Sequence, residues 1–342
     1  MNDQTEPSTL HEALDAYAQR LMSEHKAEHS SLATFQTRQL IVRQLKENHD
    51  DLPLHEITLD VCVDMIGHWR DRPTSAKTGK PIASSTAQRT LSELIRFFGW
   101  LETTDRFEWS APSHFGQIPR RVRRLESDRS VSQREMFTPE HLAILYRHAT
   151  STQRLMLCLA MNCGVGAAEM GRLKTSDIIL DDDGHFVIDL LPGEGLLRFM
   201  RPQTDTYCEW LLWPETVELT QWETTRGEDF DSDLLFVSDS GNPMWRDSSS
   251  QPGAGFRHQW QRLLKAVEDQ GVPRLPLTAI RKGTAERIRR KHGDVIARMY
   301  LGHSATCPSF CDYVRKPFSL LHVALRDLRA ELASVFRDDN AS

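Results

Sequence analysis

The stretch LGHSATCPSFCDYVRKP, residues 301–317, sets Tyr313 ten positions after His303. A phenol hydroxyl is a weak nucleophile at its ordinary pKa of about 10, and needs a base or nearby cations before it attacks an electrophile. The competing role is structural, with the ring buried and its hydroxyl hydrogen-bonded. His303, Cys307 and Cys311 recur every four residues, as metal ligands on one helix face would, but Pro308 interrupts any helix there and no fourth ligand follows. No metal or other cofactor is expected. Cations are more plentiful. PRRVRRLESDRSVSQR, residues 119–134, holds six arginines against two acids, and RKGTAERIRRKHGDVIAR, residues 281–298, holds seven bases against two acids. Either segment alone reads equally well as a solvated linker or helix face. Two of them in a chain of net charge −6 favour a polyanionic partner, because distribution constrains partners more than net charge does.

A chain of 342 residues exceeds what one hydrophobic core usually serves, so two domains are expected. The N-terminal MNDQTEPSTLHEAL carries acids, and no window approaches the ~20 apolar residues of a membrane span. A soluble, unprocessed, cytoplasmic protein with no membrane partner is expected. The six cysteines form no C-x-x-C pair, and Cys158 and Cys163 lie in the apolar run LMLCLAMNC, which argues against a disulfide framework.

The elements that must carry these residues are mostly helical. TLHEALDAYAQRLM opens with a Thr9–Glu12 capping box and repeats Leu10, Leu14, Tyr17 and Leu21 at helical spacing. Helices around Leu32–Leu45, Thr58–Trp69 and Ser84–Leu101 follow, the last with a stripe of Leu91, Leu94, Ile95, Phe98 and Leu101. Residues 1–112 therefore read as a helical bundle, and 113–134 as an exposed basic connector. A second domain, 135–342, begins at MFTPEHLAILYRHA, with Thr138 as N-cap, Pro139 at the first helical position and an apolar face starting at Leu142 and Leu145. A buried helix in RLMLCLAMNC ends at Gly164, and another runs through Glu169 to Lys174. IILDDDGHFVIDL and LLRFMRPQTDTYCEWLLW suggest a small antiparallel sheet. Helices resume near Arg257–Val267 and Ile280–Lys291, and again after Asp294. The final FSLLHVALRDLRAELASVF repeats Leu321, Leu325, Leu328 and Leu332, a stripe that must bury itself against its own domain or a neighbour.

This order, together with MFTPEHLAIL, CGVGAAEMGRLKTSDI and KHGDVIARMYLGHS, resembles the tyrosine recombinases, the family of the phage integrases, over nearly the whole chain. The resemblance implies a mainly α protein. An N-terminal helical core-binding (SAM-like) bundle would precede a mixed α+β catalytic domain with a three-stranded antiparallel sheet. It implies DNA recombination and integration by a site-specific recombinase on double-stranded DNA, as a homo-oligomer or beside a related active recombinase. In that chemistry a tyrosine attacks a phosphodiester and keeps the bond as a 3′-phosphotyrosine, with neither ATP nor metal. Donors must meet the charge of the five-coordinate transition state, a task suited to the planar fork of arginine.

Carried over residue by residue, the family's nucleophile falls on Tyr313, its second arginine on Arg281 and its later histidine on His303. Its first arginine falls on Gly166, its sheet lysine on Gln203, and the first histidine of its H-x-x-R box on Thr278. Loss of one oxyanion donor costs about 10² to 10³ in rate, so catalysis at ordinary rates requires another base in the Gly166 gap. Arg198, Arg201 and Arg154 are the candidates. Arg120, Arg121, Arg123, Arg124, Lys282, Arg289 and Arg290 are expected to meet DNA phosphates. Two other readings stand beside strand exchange: a non-cutting DNA-binding module of the same fold, and a helical protein-interaction protein that works through its last helix.

Overall fold

The computed structural model describes residues 8–27, 32–125, 135–180, 190–201, 206–303 and 318–337. The chain divides into two compact units, Met1–Ser132 with Asp247–Ser250, and Gln133–Arg246 with Gln251–Ser342.

Among the described residues the first unit is built from α1 (Leu10–Lys26), α2 (Leu32–Asn48), α3 (Leu59–Arg70) and α4 (Ser84–Thr103). At the start of α1, Thr9 Oγ1 accepts from the Glu12 N–H and the Glu12 carboxylate accepts from the Thr9 N–H, the reciprocal cap that the Thr-x-x-Glu spacing predicts. Leu10, Leu14, Tyr17 and Leu21 are all buried. In α4 the buried face also holds a carboxylate that the apolar pattern did not predict. Glu93, only 1% exposed, accepts from Tyr17 Oη at 2.8 Å and Arg38 Nε at 2.8 Å. A buried carboxylate persists only with such partners. The stretch read as a connector is not wholly exposed. One 3₁₀ turn spans Phe115–Gln117, Ile118 and Val122 join the first core, and the Arg123 N–H donates to the Arg70 carbonyl.

The second unit begins with α5 (Pro139–His148), capped by Thr138 and with Pro139 in its first turn, and α6 (Ser151–Asn162). Gly164 ends α6 at φ +60°, where an added Cβ would come within 2.7 Å of the Tyr300 ring. The helix expected from Glu169 to Lys174 is a single turn, α7 (Ala167–Met170). Gly171 stops it, and a Cβ there would lie 2.1 Å from Trp245 Cβ, so close packing rather than helix propensity fixes this residue. The sheet is antiparallel, in the order β1 (Ile178–Ile179), β2 (Gly195–Arg201) and β3 (Thr206–Leu212). Its long pair runs from Gly195 opposite Leu212 to Arg201 opposite Thr206. The expected Asp-Gly turn lies outside the described residues.

Helix α8 (Pro214–Glu228) was not legible in the apolar pattern, because its buried face holds Thr216, Thr220 and Glu223 beside Val217. Thr216 Oγ1 donates to Asn162 Oδ1 at 3.0 Å, and Thr220 Oγ1 to the Thr216 carbonyl at 2.6 Å. Helix α9 (Ala254–Ala266) and helix α10 (Thr278–Tyr300) follow, the latter broken at Gly293 by φ +85° and ψ 173°. The last helix, α11 (Phe318–Glu331), buries Leu321, Leu325 and Leu328 in the core of its own unit, and Trp213 Nε1 donates to the Leu325 carbonyl. The terminal stripe thus folds back within the chain. No helix among the described residues is long and apolar enough to cross a membrane.

Candidate functional site

Four segments meet around the Glu169 carboxylate. Helix α7 brings Glu169 itself, whose second oxygen accepts from the Gly166 N–H at 2.7 Å. The end of β2 brings Arg201, α10 brings Arg281, and the turn after α10 brings Leu301, Gly302 and His303. Arg201 donates Nε–H to Glu169 Oε1 at 2.8 Å and Nη2–H to the same oxygen. Its Nη1 donates to the Leu301 carbonyl, and to the Gly302 carbonyl at 3.1 Å. Arg281 Nη2 donates to that same Leu301 carbonyl at 2.8 Å, and its Nη1 stands 3.8 Å from Glu169 Oε1. The His303 N–H donates to the Arg298 carbonyl at 3.0 Å.

Local rules explain these placements. Strand alternation puts Arg201 on the buried face of β2 with Leu197 and Phe199, while Met200 lies on the exposed face. Gly302 adopts φ +61°, where a Cβ would come within 3.0 Å of Arg201 Nη1. The glycine therefore lets the turn close on the guanidinium. Thr278 opens α10 and lies one turn before Arg281, which places it on the same side of the helix.

The site is cationic and partly dry. Burial, then the neighbouring Arg201, hold Arg281 below the ordinary guanidinium range, with Glu169 opposing them. His303 is lowered from its usual value first by desolvation and then by Arg281, Arg201 and Arg298. Nearby Tyr300 is not an alternative nucleophile. Its hydroxyl donates to the Ala160 and Met161 carbonyls and contacts Thr284 Oγ1, and burial pushes its pKa far up.

Of the residues carried over from the family resemblance, Arg281 and His303 thus adjoin one carboxylate-centred cluster. Gly166 borders it through its N–H and brings no side chain, and Thr278, one turn before Arg281 on the helix, is exposed and brings no cation. Tyr313 and Gln203 lie outside the described residues, as do Cys307 and Cys311. Among the replacement bases, Arg201 reaches the cluster. Arg198 instead faces its cross-strand partner Glu209, with Nε 2.8 Å from the carboxylate. Arg154 lies on the first turn of α6, roughly 12 Å of helix rise from the Asn162 end. It donates to the Tyr146 carbonyl and stacks on the Tyr146 ring. Among the described residues no group of three or more metal-ligating side chains occurs.

The basic segments are less free than their composition suggests. Arg120, Arg121, Arg123 and Arg124 are exposed, with the Arg120 guanidinium over the Phe115 ring. On α10, Lys282, Arg289 and Arg290 are exposed. However, Arg289 pairs with Glu286, Arg287 with Glu331, and Lys291 with Asp327. The acids contributed by α11 could not be counted from residues 281–298 alone.

The architecture is similar to that of several solved structures. A lambda integrase (75–356) dimer bound to a COC′ core site is 17% identical, at TM-score 0.57 over 98% of this chain and 98% of that one. XerH site-specific recombinase bound to palindromic difH substrate is 16% identical, at TM-score 0.56 over 94% and 85%. The Tn1549 transposon integrase in complex with a circular intermediate DNA is 14% identical, at TM-score 0.53 over 94% and 98%. No family model matches the chain, and no curated protein matches it in sequence. The chain has the tyrosine-recombinase fold.

Proposed function

We propose that this chain, built on the tyrosine-recombinase fold, is a double-stranded DNA-binding protein that performs site-specific strand exchange through a Tyr313 3′-phosphotyrosine at an impaired rate. The observation that carries the reading is the convergence of Arg281 and His303, far apart in sequence, beside the Arg201–Glu169 pair. Arg281 retains donors for a nonbridging phosphate oxygen, and its partial burial strengthens the charge it offers to a five-coordinate phosphorus. The impairment follows from Gly166, which brings no donor, and from Thr278, which brings a hydroxyl where an imidazole would serve. The protein works as an oligomer on its DNA. The exposed arginines at 120, 121, 123 and 124, with Lys282, Arg289 and Arg290, supply the phosphate contacts that set affinity.

A second reading, a non-cutting partner of an active recombinase, is favoured by the same empty position at Gly166. Nicked duplexes taken from DNA flanking the gene separate the two, because loss of the short strand beyond the nick traps a covalent adduct. Denaturing gels are expected to show a slow wild-type adduct that Tyr313→Phe abolishes. An adduct only with Gly166→Arg would favour the non-cutting reading, with a scaffold that still aims at phosphate. No shift on native gels with any duplex in the pool, at low salt, would count against DNA binding itself.

A further inference from the structure

We propose that Arg201 provides, from β2, the fixed cation that the chain lacks at Gly166, and acts as a positioning residue that holds Arg281 and His303 around one anion seat. The inference rests on the phosphodiester reading of the site and deepens it.

Three observations carry it. First, Arg201 is only 5% exposed, and its guanidinium is spent on protein acceptors: Glu169 through Nε and Nη2, and the Leu301 and Gly302 carbonyls through Nη1. Such a group acts through what it holds rather than by touching a ligand. Second, what it holds is the site. Leu301 and Gly302 lead directly into His303, and Arg281 uses the same Leu301 carbonyl. A displaced Arg201 therefore releases both residues together. Third, Glu169 depends on Gly166. A Cβ at that position would approach Glu169 Oε2 to 3.1 Å, so that the carboxylate Arg201 grips would have to shift by a few tenths of an ångström. The glycine and the strand arginine form one compatible pair. Two guanidinium groups against one carboxylate leave the cluster net positive, as an anion seat requires.

The test uses the full chain without DNA, with inorganic phosphate as probe and the His303 ring signal followed by NMR, assigned through His303→Gln. Arg201→Met removes the cation. Glu169→Gln combined with Arg201→Met removes both members of the buried pair, so neither is left unpaired if the single variant unfolds. Arg201→Met should raise the His303 midpoint, the double variant should raise it less because it removes one charge of each sign, and both should weaken its response to phosphate by about tenfold. Arg201→Lys, a point charge without the fork, should keep the midpoint near wild type yet still weaken the phosphate response. Arg198→Met, outside the cluster, should change neither. A folded double variant with a wild-type phosphate response, or a folded Arg201→Met with a wild-type midpoint, would overturn the proposal. A wild type whose His303 ignores phosphate would instead count against the phosphodiester reading, while the midpoints still decide the part played by Arg201.

Discussion

At the scale of single residues, the chemistry depends on a few positions where side-chain size matters more than polarity. Gly302 is one. Its φ of +61° strains any other residue, and a methyl group there would press on Arg201 and Cys208 at 3.0 Å. Gly302→Ala should cost about 1–2 kcal/mol from backbone strain alone, read by urea unfolding, and should raise the His303 midpoint as Arg201 is displaced. Another titratable residue matters in the first unit. His49 Nε2 accepts from Trp69 Nε1–H at 2.9 Å, and burial, then His68, push its pKa down to about 4. A histidine depressed in the folded state favours folding in full above its ordinary value of about 6.5, and that contribution is lost as pH falls toward the folded value. His68, also lowered by burial, acts in the same direction. Urea midpoints followed by tryptophan fluorescence should therefore drop between about pH 7 and pH 5, and drop less in His49→Gln. Equal losses in both proteins would remove His49 from the account.

The elements show how ion pairs and apolar stripes share the task of docking. Helix α11 seats Leu321, Leu325 and Leu328 in the core, while Arg326 meets Glu194, Arg329 meets Glu215, and Asp327 meets Lys291. The Arg329–Glu215 and Lys291–Asp327 pairs are partly exposed and set orientation more than stability, whereas Glu194 is buried and needs its Arg326 partner. The leucines carry the energy. Leu325→Ala should cost about 2–5 kcal/mol in chemical unfolding. Because the helix docks on its own unit, the DNA-free thermal midpoint should not move over roughly hundredfold dilution. A midpoint that falls on dilution would mean that α11 docks on a second copy instead.

At the scale of the whole molecule, each unit carries its own exposed bases, and affinity for duplex DNA should follow counterion release. Each phosphate contact contributes about 0.9 to the slope of log affinity against log salt. Replacing Arg120, Arg121, Arg123 and Arg124 together by alanine should flatten that slope by roughly 3 to 4 in fluorescence anisotropy on a fixed duplex. Replacing Arg287 and Lys291, which are paired with Glu331 and Asp327, should flatten it little. If the second pair of substitutions matters more than the first four, the basic stretch at 120–124 is not the phosphate contact.

The sequence by itself determined whatever local rules govern. The Thr9–Glu12 cap, the leucine stripes of α1, α4 and α11, Pro139 at the start of α5, the ends at Gly164 and Gly293, and the two-strand pattern around Arg201 all follow from neighbours within a turn or a strand. So did the fold, through the order of these elements. Tertiary structure decided what depends on partners distant in the chain. Helix α8 hides behind a threonine face that only Asn162 makes sense of. The charge of α10 is reduced by acids on α11, and Arg201, one of three candidate bases by sequence, was selected because Glu169 lies 32 positions away along the chain yet within a hydrogen bond in space. Periodicity reports which face of an element is buried, but only the packed chain sets which charges are buried together.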